Sequence, residues 1–383
     1  MNRSLIVVGF VAFATSLSFR AIDPSVALIA LDFSMAPERA ALLSTAFALP
    51  YALGQPVLGP IADAIGKTRV IRACVVVLLA ASLAGAVAPD FQTLLVTRIA
   101  AGVAAGGIFP TSIAVTGDLV PVEQRQVALG RLLACALSGS VLGATVGGLV
   151  GDVFGWRGIL LVLSGCSALA LAGAVAGFPR AAPSARFDIS SALDGYRRIF
   201  ANPLARFCYG GVLVEGACVF GLLPFVAVIL HGSGEERATI AGLVVAGFPV
   251  GGVILSVVMP ALLAAFGQRG LMRLGGALVA CALLLFAWAW WWPFELAAFV
   301  VLGFGFYMIH TGIQVFATEL APGARASAVA LHAMFFFLGQ GSGPVLYGFA
   351  IGKAGVTATI AIAAVLMVGL GLFLGRMLRH PKV

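Results

Sequence analysis

Residues 59–69 read GPIADAIGKTR, and this stretch separates two long apolar runs at about 40–62 and 70–89. Gly66 permits the tight turn that a chain needs when it leaves one helix and begins the next. The two basic residues after that turn place positive charge there, and Asp63 can face a helix N-terminus. The stretch therefore predicts a charged turn between two membrane-spanning helices.

The composition agrees with a membrane environment. Of 383 residues, 61% are hydrophobic and 10% are charged, whereas ordinary soluble domains are about 25% charged. The mean hydropathy is +1.09. A soluble core cannot absorb so much apolar surface, because a chain of this size still needs a polar exterior. The net charge of +8 does not indicate nucleic-acid binding, since the basic residues form no stripe and lie between apolar runs.

Runs of about 20 mostly apolar residues, the length that crosses a bilayer, occur twelve times. They fall at about 5–31, 40–62, 70–89, 91–117, 126–151, 157–178, 207–230, 238–265, 271–292, 294–317, 326–351 and 354–376. We therefore predict an all-α membrane protein with twelve transmembrane helices. Its predicted parts are an N-terminal six-helix bundle (1–179), a cytoplasmic linker (180–206) and a C-terminal six-helix bundle (207–383).

The basic residues predict the orientation. With the N-terminus inside, 17 of the 23 Lys and Arg residues fall in cytoplasmic segments, 4 fall in outer loops, and Arg20 and Arg98 lie within helices. Positive residues concentrate on the cytoplasmic side of membrane proteins. We therefore expect both termini in the cytoplasm and the protein in the inner (plasma) membrane.

Two features support this division of the chain. Gly139-x-x-x-Gly143 recurs 200 residues later as Gly339-x-x-x-Gly343, as expected for two related six-helix halves. Within the linker, residues 188–200 place their apolar side chains on one helical face, which suits a short amphipathic helix on the cytoplasmic surface.

The quoted stretch also carries a family resemblance. Gly59, Asp63, Gly66, Lys67 and Arg69 match the pattern G-x-x-x-D-x-x-G-[RK]-x-[RK] of the major facilitator superfamily. The resemblance implies two pseudo-symmetric six-helix bundles that work by alternating access around a central cavity. It also implies that these residues gate the conformational change.

Asp118 follows the fourth predicted helix, and the resemblance implies that it joins Asp63 and either Lys67 or Arg69 in a cytoplasmic charge cluster. Asp63→Asn is expected to reduce turnover more than ligand affinity.

The fifth predicted helix is similar to the drug:proton antiporter branch of that superfamily. Its glycines match the motif G-x8-G-x3-G-P-x2-G-G, except that Ala144 occupies the proline position. The missing proline weakens the antiporter inference. Small residues at this spacing make a surface on which another helix can pack closely. The glycines that we assign to helix packing are Gly139, Gly143, Gly147, Gly148, Gly339 and Gly343.

Ionisable residues inside predicted spans are functional candidates, because a charged group in a bilayer is costly. The N-terminal half contributes Arg20, Asp23 and Arg98, and the C-terminal half contributes Glu215, His310 and His332. At about 1.5 Å per residue, the members of each set lie at similar depth. Either each group satisfies a neighbour within its bundle, or at least one carboxylate carries a coupling proton. Burial favours the protonated form of a carboxylate, and a nearby arginine favours the ionised form.

These features predict a proton-coupled exporter of a small amphipathic or drug-like molecule. The alternative is an importer or exchanger of a small anionic metabolite that bears a carboxylate or phosphate. A sensor or an enzyme is disfavoured, because the sequence has no output module, catalytic triad order or phosphate-binding loop. The six cysteines are scattered singly, so we expect neither a metal site nor a cofactor. The expected partners are substrate, protons and the lipid bilayer, with the protein acting as a monomer.

Overall fold

The computed structural model describes residues 3–121, 124–178, 196–288, 291–320 and 325–377. In these ranges the chain is helical apart from short connections, and no strand occurs in them. Residues 179–195, which include more than half of the predicted linker, lie outside the described residues. The amphipathic helix expected at 188–200 is therefore described only at 196–200, which is helical.

The helices are numbered in chain order. They are α1 (Arg3–Arg20), α2 (Val26–Asp32), α3 (Pro37–Ala40), α4 (Leu42–Ile65), α5 (Lys67–Ala86), α6 (Phe91–Asp118), α7 (Arg125–Gly177), α8 (Ala205–Phe220), α9 (Val226–Gly232), α10 (Ala238–Ala287), α11 (Trp292–Glu319) and α12 (Arg325–Met377). Three of them, α7, α10 and α12, are 50 or more residues long and each contains one non-helical glycine.

Those glycines divide the long helices into membrane-length segments. Gly155, Gly267 and Gly355 have φ of 68°, 61° and 81°, and only glycine adopts such angles without a steric penalty. Ten stretches of the described chain are long and apolar enough to cross a membrane. Two of these, of 51 and 50 residues, are themselves divided at Gly155 and Gly267. The described chain thus has twelve spans, and the predicted fold class is confirmed.

The first span of each half is interrupted about two thirds of the way along its length. A 3₁₀ turn at Asp23–Ser25 separates α1 from α2, and a similar turn at Leu223–Phe225 separates α8 from α9. Each turn contains a proline, Pro24 or Pro224, which lacks the N–H that a continuous helix needs. The sequence predicted these spans as continuous. The break places the carboxylate of Asp23 at a helix end within the membrane-length segment.

The chain forms two compact units. The first comprises Met1–Phe187 and Arg237–Gly242, and the second comprises Asp188–Glu236 and Leu243–Val383. The short segment joins the first unit because the Asp152 carboxylate accepts hydrogen bonds from the backbone N–H groups of Ala238 and Thr239, at 2.7 and 2.8 Å.

In the first unit, α1 lies directly against α7 along a row of glycines. A Cβ atom at any of three glycines, one turn apart, would collide with a backbone carbonyl of α1 or of the residue that follows it. The pairs are Gly139 with Phe13, Gly143 with Leu17, and Gly147 with Ala21. Gly148, next to this row, lies against the backbone of Ala238 in the same way. Helix backbones can approach this closely only where side chains are absent.

The second unit repeats the arrangement between α8 and α12. Gly339 lies against the carbonyl of Leu213, and Gly343 lies against Ala217 and Gly221. The glycine repeat in the sequence therefore corresponds to the same kind of helix contact in each unit.

Candidate functional site

The first unit holds a buried acid–base pair at the break between α1 and α2. Arg20 NH1 lies 3.2 Å from Asp23 Oδ2, and the Ser44 hydroxyl of α4 donates to Asp23 Oδ1 at 2.5 Å. Asp23 is 1% exposed. A buried carboxylate is stable as an ion only when it is paired and hydrogen-bonded, and this one has both partners. Ser44 was not predicted as a site residue. The helical periodicity of the α4 sequence does not show which neighbouring helix a given side chain contacts.

Arg98, on α6, is buried nearby but is held differently. Its NH1 and NH2 atoms donate to the backbone carbonyl of Ser18 at 3.4 and 3.3 Å. Its guanidinium lies over the Phe47 ring, 4.3 Å from the centroid. The described residues give its Nε no hydrogen-bond partner. The structure thus joins Arg20 directly to Asp23, whereas none of the ion pairs among the described residues joins Arg98 to Asp23.

The second unit holds the other predicted group. His310 Nδ1 on α11 lies 2.9 Å from Glu215 Oε2 on α8. The His332 ring of α12 lies 5.0 Å from the His310 ring, centroid to centroid. Three helices, α8 and the consecutive pair α11 and α12, therefore bring Glu215, His310 and His332 together. We call these three residues the Glu215 cluster.

Two polar atoms of the Glu215 cluster have no hydrogen-bond partner among the described residues. They are Glu215 Oε1 and His332 Nε2, on side chains that are fully buried and 2% exposed respectively. A lone charge in such surroundings is strongly disfavoured. With one proton between them, Glu215 and His310 form a pair of zero net charge, whichever residue carries the proton. A second proton would add net charge, so the cluster is sensitive to proton occupancy.

Aromatic rings surround the Glu215 cluster. The His310 ring stacks on Phe306 at 5.0 Å and lies 4.6 Å from the Phe336 ring. Phe220 contacts both of these phenylalanines at 5.4 Å. The rings cover much of the imidazole, whose side chain is 14% exposed, and this lowers the local polarity and strengthens its electrostatic interaction with the carboxylate.

The predicted gating residues lie at one end of the first unit. Gly66 has φ of 107° and ends α4. Lys67 begins α5 and Asp118 ends α6. Lys67 Nζ lies 2.6 Å from Asp118 Oδ2. Arg69 NH1 instead donates to the Ile65 carbonyl at 3.4 Å. The side chain of Asp63 and the surroundings of Gly59 lie outside the described residues. We call this end of the unit the Lys67 end.

The opposite end of the first unit carries a cluster that sequence reasoning missed. Asp32 Oδ2, at the end of α2, accepts hydrogen bonds from Trp156 Nε1 at 2.9 Å and from Arg157 NH1 at 2.6 Å. The Arg157 guanidinium also lies 4.1 Å from the Trp156 ring centroid. These contacts attach the end of the first span to the turn at Gly155 in α7.

Glu295 was also missed. It lies in the first turn of α11 and is 2% exposed, and neither carboxylate oxygen has a hydrogen-bond partner among the described residues. The signal that could have found it is a single acid at the start of the apolar run predicted at 294–317.

The described residues contain no group of three or more His, Cys, Asp or Glu side chains that could hold a metal ion. The buried groups around Asp23 and in the Glu215 cluster instead combine acid, base and aromatic side chains. Such combinations are suited to proton or ligand binding inside a membrane.

Comparison with known proteins defines the family. The family model described as Major Facilitator Superfamily matches residues 8–236 and 207–383. The chain is 25% identical over 350 residues to the probable sugar efflux transporter of Pasteurella multocida, covering 90% of this chain and 84% of that relative. It is 24% identical over 364 residues to the quinolone resistance protein NorA of Staphylococcus aureus, covering 91% and 90%.

Among solved structures, the nucleoside transporter NupG aligns over 100% of both chains with a TM-score of 0.78 and 15% sequence identity. At that identity the likeness concerns the fold alone. The family match extends over both halves of the chain and agrees with the twelve spans and the motif at 59–69. This chain therefore belongs to the Major Facilitator Superfamily, whose members are multi-pass membrane transporters and not enzymes.

Proposed function

We propose that the protein is a proton-coupled exporter of a small amphipathic or drug-like molecule and works by alternating access in the plasma membrane. The observation that carries the proposal is the contact between Glu215 and His310. Glu215 is fully buried, and the His310 side chain bonded to it is 14% exposed, so the imidazole can pass a proton between the carboxylate and the solvent. That property is what a coupling group needs.

The direction of transport rests on the relatives. Proteins named for sugar efflux and quinolone resistance match most of the chain at 24–25% identity. Their names support export of an organic molecule and do not identify one for this chain.

A second candidate is the exchange of a small anionic metabolite. Among the described residues of the first unit, two buried guanidinium groups, Arg20 and Arg98, accompany one buried carboxylate, Asp23. Arginine binds carboxylate and phosphate groups well because its donors are planar and permanently charged. Counterflow of labelled anions and of lipophilic cations in the same proteoliposomes would distinguish the two candidates.

The central test uses proteoliposomes with an imposed pH gradient and a fluorescent cationic dye, ethidium, as the transported probe. We expect Glu215→Gln to abolish gradient-driven dye accumulation and to leave dye exchange at equal pH largely intact. Asp23→Asn is the corresponding variant in the first unit. We expect it to have the same two effects on ethidium transport. If both variants still concentrate ethidium against its gradient, the coupling group lies elsewhere or the protein is a uniporter.

Orientation is part of the proposal. With both termini in the cytoplasm, single cysteines introduced at 67–69 should resist an impermeant maleimide in intact cells. Cysteines at 231–237 should react. Reaction at 67–69 would reverse the proposed orientation.

A further inference from the structure

One nitrogen of the His310 ring is left without a role by the contact with Glu215. Nδ1 lies 2.9 Å from Glu215 Oε2, whereas Nε2 has no hydrogen-bond partner among the described residues. Glu215 Oε1 and His332 Nε2 are also unpartnered there, but both are fully enclosed, and His310 Nε2 is not one of the enclosed atoms. The His310 side chain is 14% exposed. Its Nε2 is therefore a polar atom of the Glu215 cluster that a ligand can reach.

Two phenylalanine rings extend the surface that carries His310. The Phe336 ring lies 4.6 Å from the His310 ring and 5.4 Å from the Phe220 ring, centroid to centroid. All three side chains are partly exposed, and we call these three rings the Phe336 face. Flat aromatic molecules stack on such rings, and organic cations are attracted to the faces of the phenylalanines. The Phe336 face is therefore suited to a planar aromatic cation with a polar group that can reach Nε2.

The proton shared by Glu215 and His310 decides what Nε2 offers to such a molecule. Without that proton, Glu215 is a carboxylate and His310 is a neutral imidazole, whose N–H is on Nδ1 and donates to Oε2. Nε2 then presents a lone pair and accepts a hydrogen bond. With the proton, either Glu215 donates to Nδ1 or both ring nitrogens carry hydrogen. In both of these forms Nε2 is an N–H donor, so the shared proton reverses the role of Nε2.

The titratable groups that face this pair come from three helices. Among the described residues they are Glu215 and Cys218 of α8, Tyr307 of α11 and His332 of α12. The neighbouring part of α10 contributes the Phe248 ring. Thiols and phenols ionise at about pH 8.5 and 10, so Cys218 and Tyr307 stay neutral between pH 5.5 and 7.5. A proton on His332 would make a buried cation whose Nε2 has no acceptor among the described residues. The exchangeable proton therefore belongs to Glu215 and His310.

We propose that His310 Nε2 contacts the substrate, and that the substrates are planar aromatic molecules that carry an amino N–H. Such an N–H donates to Nε2 only when the shared proton is absent. With the proton present, two donors face each other, and an aromatic amine is a poor acceptor because its lone pair is delocalised into the ring. Substrate and proton therefore exclude each other at one nitrogen atom. Ethidium, which has amino groups on a planar cationic ring system, belongs to this class.

The test measures equilibrium binding and needs no pH gradient. Purified full-length protein in phosphatidylcholine nanodiscs is dialysed to equilibrium with each of two dyes, with empty nanodiscs as the blank. Acriflavinium carries amino groups on a planar ring system whose ring nitrogen is methylated. N-methyl acridine orange has the same ring system and the same permanent charge, but its amino groups are dimethylated and have no N–H. Because the charges are equal, the ratio of the two Kd values isolates the hydrogen bond.

The Kd of N-methyl acridine orange divided by that of acriflavinium should fall about tenfold as the pH is lowered from 7.5 to 5.5, as expected for the loss of one hydrogen bond. A coupling proton must be exchanged within this working range. A constant ratio, or no saturable binding of acriflavinium, would therefore overturn the proposal.

Variants assign the switch to the pair. His310→Asn keeps an amide near the position of Nδ1 and removes Nε2, so the ratio of Kd values should be low and independent of pH. Glu215→Gln removes the acid that exchanges the proton, and the ratio should again be independent of pH. His231→Gln, at an exposed histidine of the same unit, is the control and should keep the full pH dependence. A pH dependence that persists in His310→Asn would contradict the assignment. If a variant does not fold, the ratio measured on the unmodified protein decides.

This inference rests on the proposed function, because it takes the shared proton as the coupling proton, but the two can fail separately. A ratio that depends on pH, together with no gradient-driven ethidium transport, would refute proton coupling and support the contact at His310. Gradient-driven ethidium transport together with a constant ratio would support proton coupling and refute the contact at His310.

Discussion

His310 Nδ1 lies 2.9 Å from Oε2 of the fully buried Glu215, although the two residues are 95 positions apart in sequence. The contact joins the first span of the second unit to the span formed by α11. Neither residue can change its charge alone without leaving an unpaired partner in an apolar region. The pair is therefore expected to gain or lose protons as a unit.

Glu215→Gln and His310→Asn should each reduce gradient-driven ethidium transport at least tenfold. Because the two groups act together, the double variant should lose little more than the worse single variant. The measurement is initial transport rate in proteoliposomes across the three variants. Glu236→Gln, at an exposed acid, is the control and should transport normally. Losses that multiply in the double variant would mean that the two residues act independently.

Asp23 and Arg20 should be coupled in stability. Asp23→Leu leaves a buried guanidinium without its ion pair, and breaking a buried pair in this way costs about 3–5 kcal/mol. Removing both charges, in Arg20→Met with Asp23→Leu, should restore most of the loss. Thermal unfolding of the purified proteins measures this effect. An unfolding temperature equally low in the double variant would show that packing, and not charge, determines the stability there.

Most of the fold could be predicted from the sequence, because each bilayer crossing requires a long apolar run and each turn carries charge or glycine. The stretch at 59–69 identified the family for the same reason, since its turn needs Gly66 at a positive φ. The breaks at Pro24 and Pro224 were not predicted. A proline inside an apolar run indicates a kink, but its extent depends on the helices packed around it.

The candidate site was predicted less completely. Depth along a helix placed Glu215 level with His310, since rise per residue is constant. Which groups touch depends on helix rotation, which the sequence of one helix does not fix. For this reason the contact between Arg98 and the Ser18 carbonyl could not be predicted, and Ser44 and Glu295 were missed. The proposed roles of all these residues remain predictions.

Gly139→Ala should destabilise the first unit, because its Cβ atom would meet the Phe13 carbonyl across the contact between α1 and α7. Overpacking of a tight contact costs roughly 1–3 kcal/mol. Gly130→Ala is the matched control on the same helix, where a Cβ atom would meet nothing within 4 Å. It should be neutral or slightly stabilising, since alanine favours helix more than glycine does. Equal unfolding temperatures for the two variants would contradict the assigned role of Gly139.

Lys67 and Asp118 should matter for turnover more than for stability. Asp118 is exposed, with 61% side-chain accessibility, and exposed ion pairs contribute about 0–1 kcal/mol. Lys67→Asp and Asp118→Lys should each slow transport while changing the unfolding temperature little, and the combined charge swap should recover part of the rate. Single-turnover and steady-state rates in proteoliposomes provide the measurement. Full activity in both single variants would remove this pair from the gating mechanism.

Glu295 should make the stability of the second unit depend on pH. Both of its carboxylate oxygens are buried without a hydrogen-bond partner among the described residues, so the ionised form is disfavoured there by several kcal/mol. The folded protein therefore favours the protonated acid, and its stability should fall as the pH rises. Glu295→Gln, which is neutral and similar in shape, should unfold at a higher temperature than the unmodified protein at pH 8 and at a similar temperature at pH 5. Glu236→Gln controls for the loss of one exposed acid. The unfolding temperatures of Glu295→Gln and of the unmodified protein are compared at pH 5 and at pH 8. An equal difference at the two pH values would show that Glu295 is not held in its protonated form.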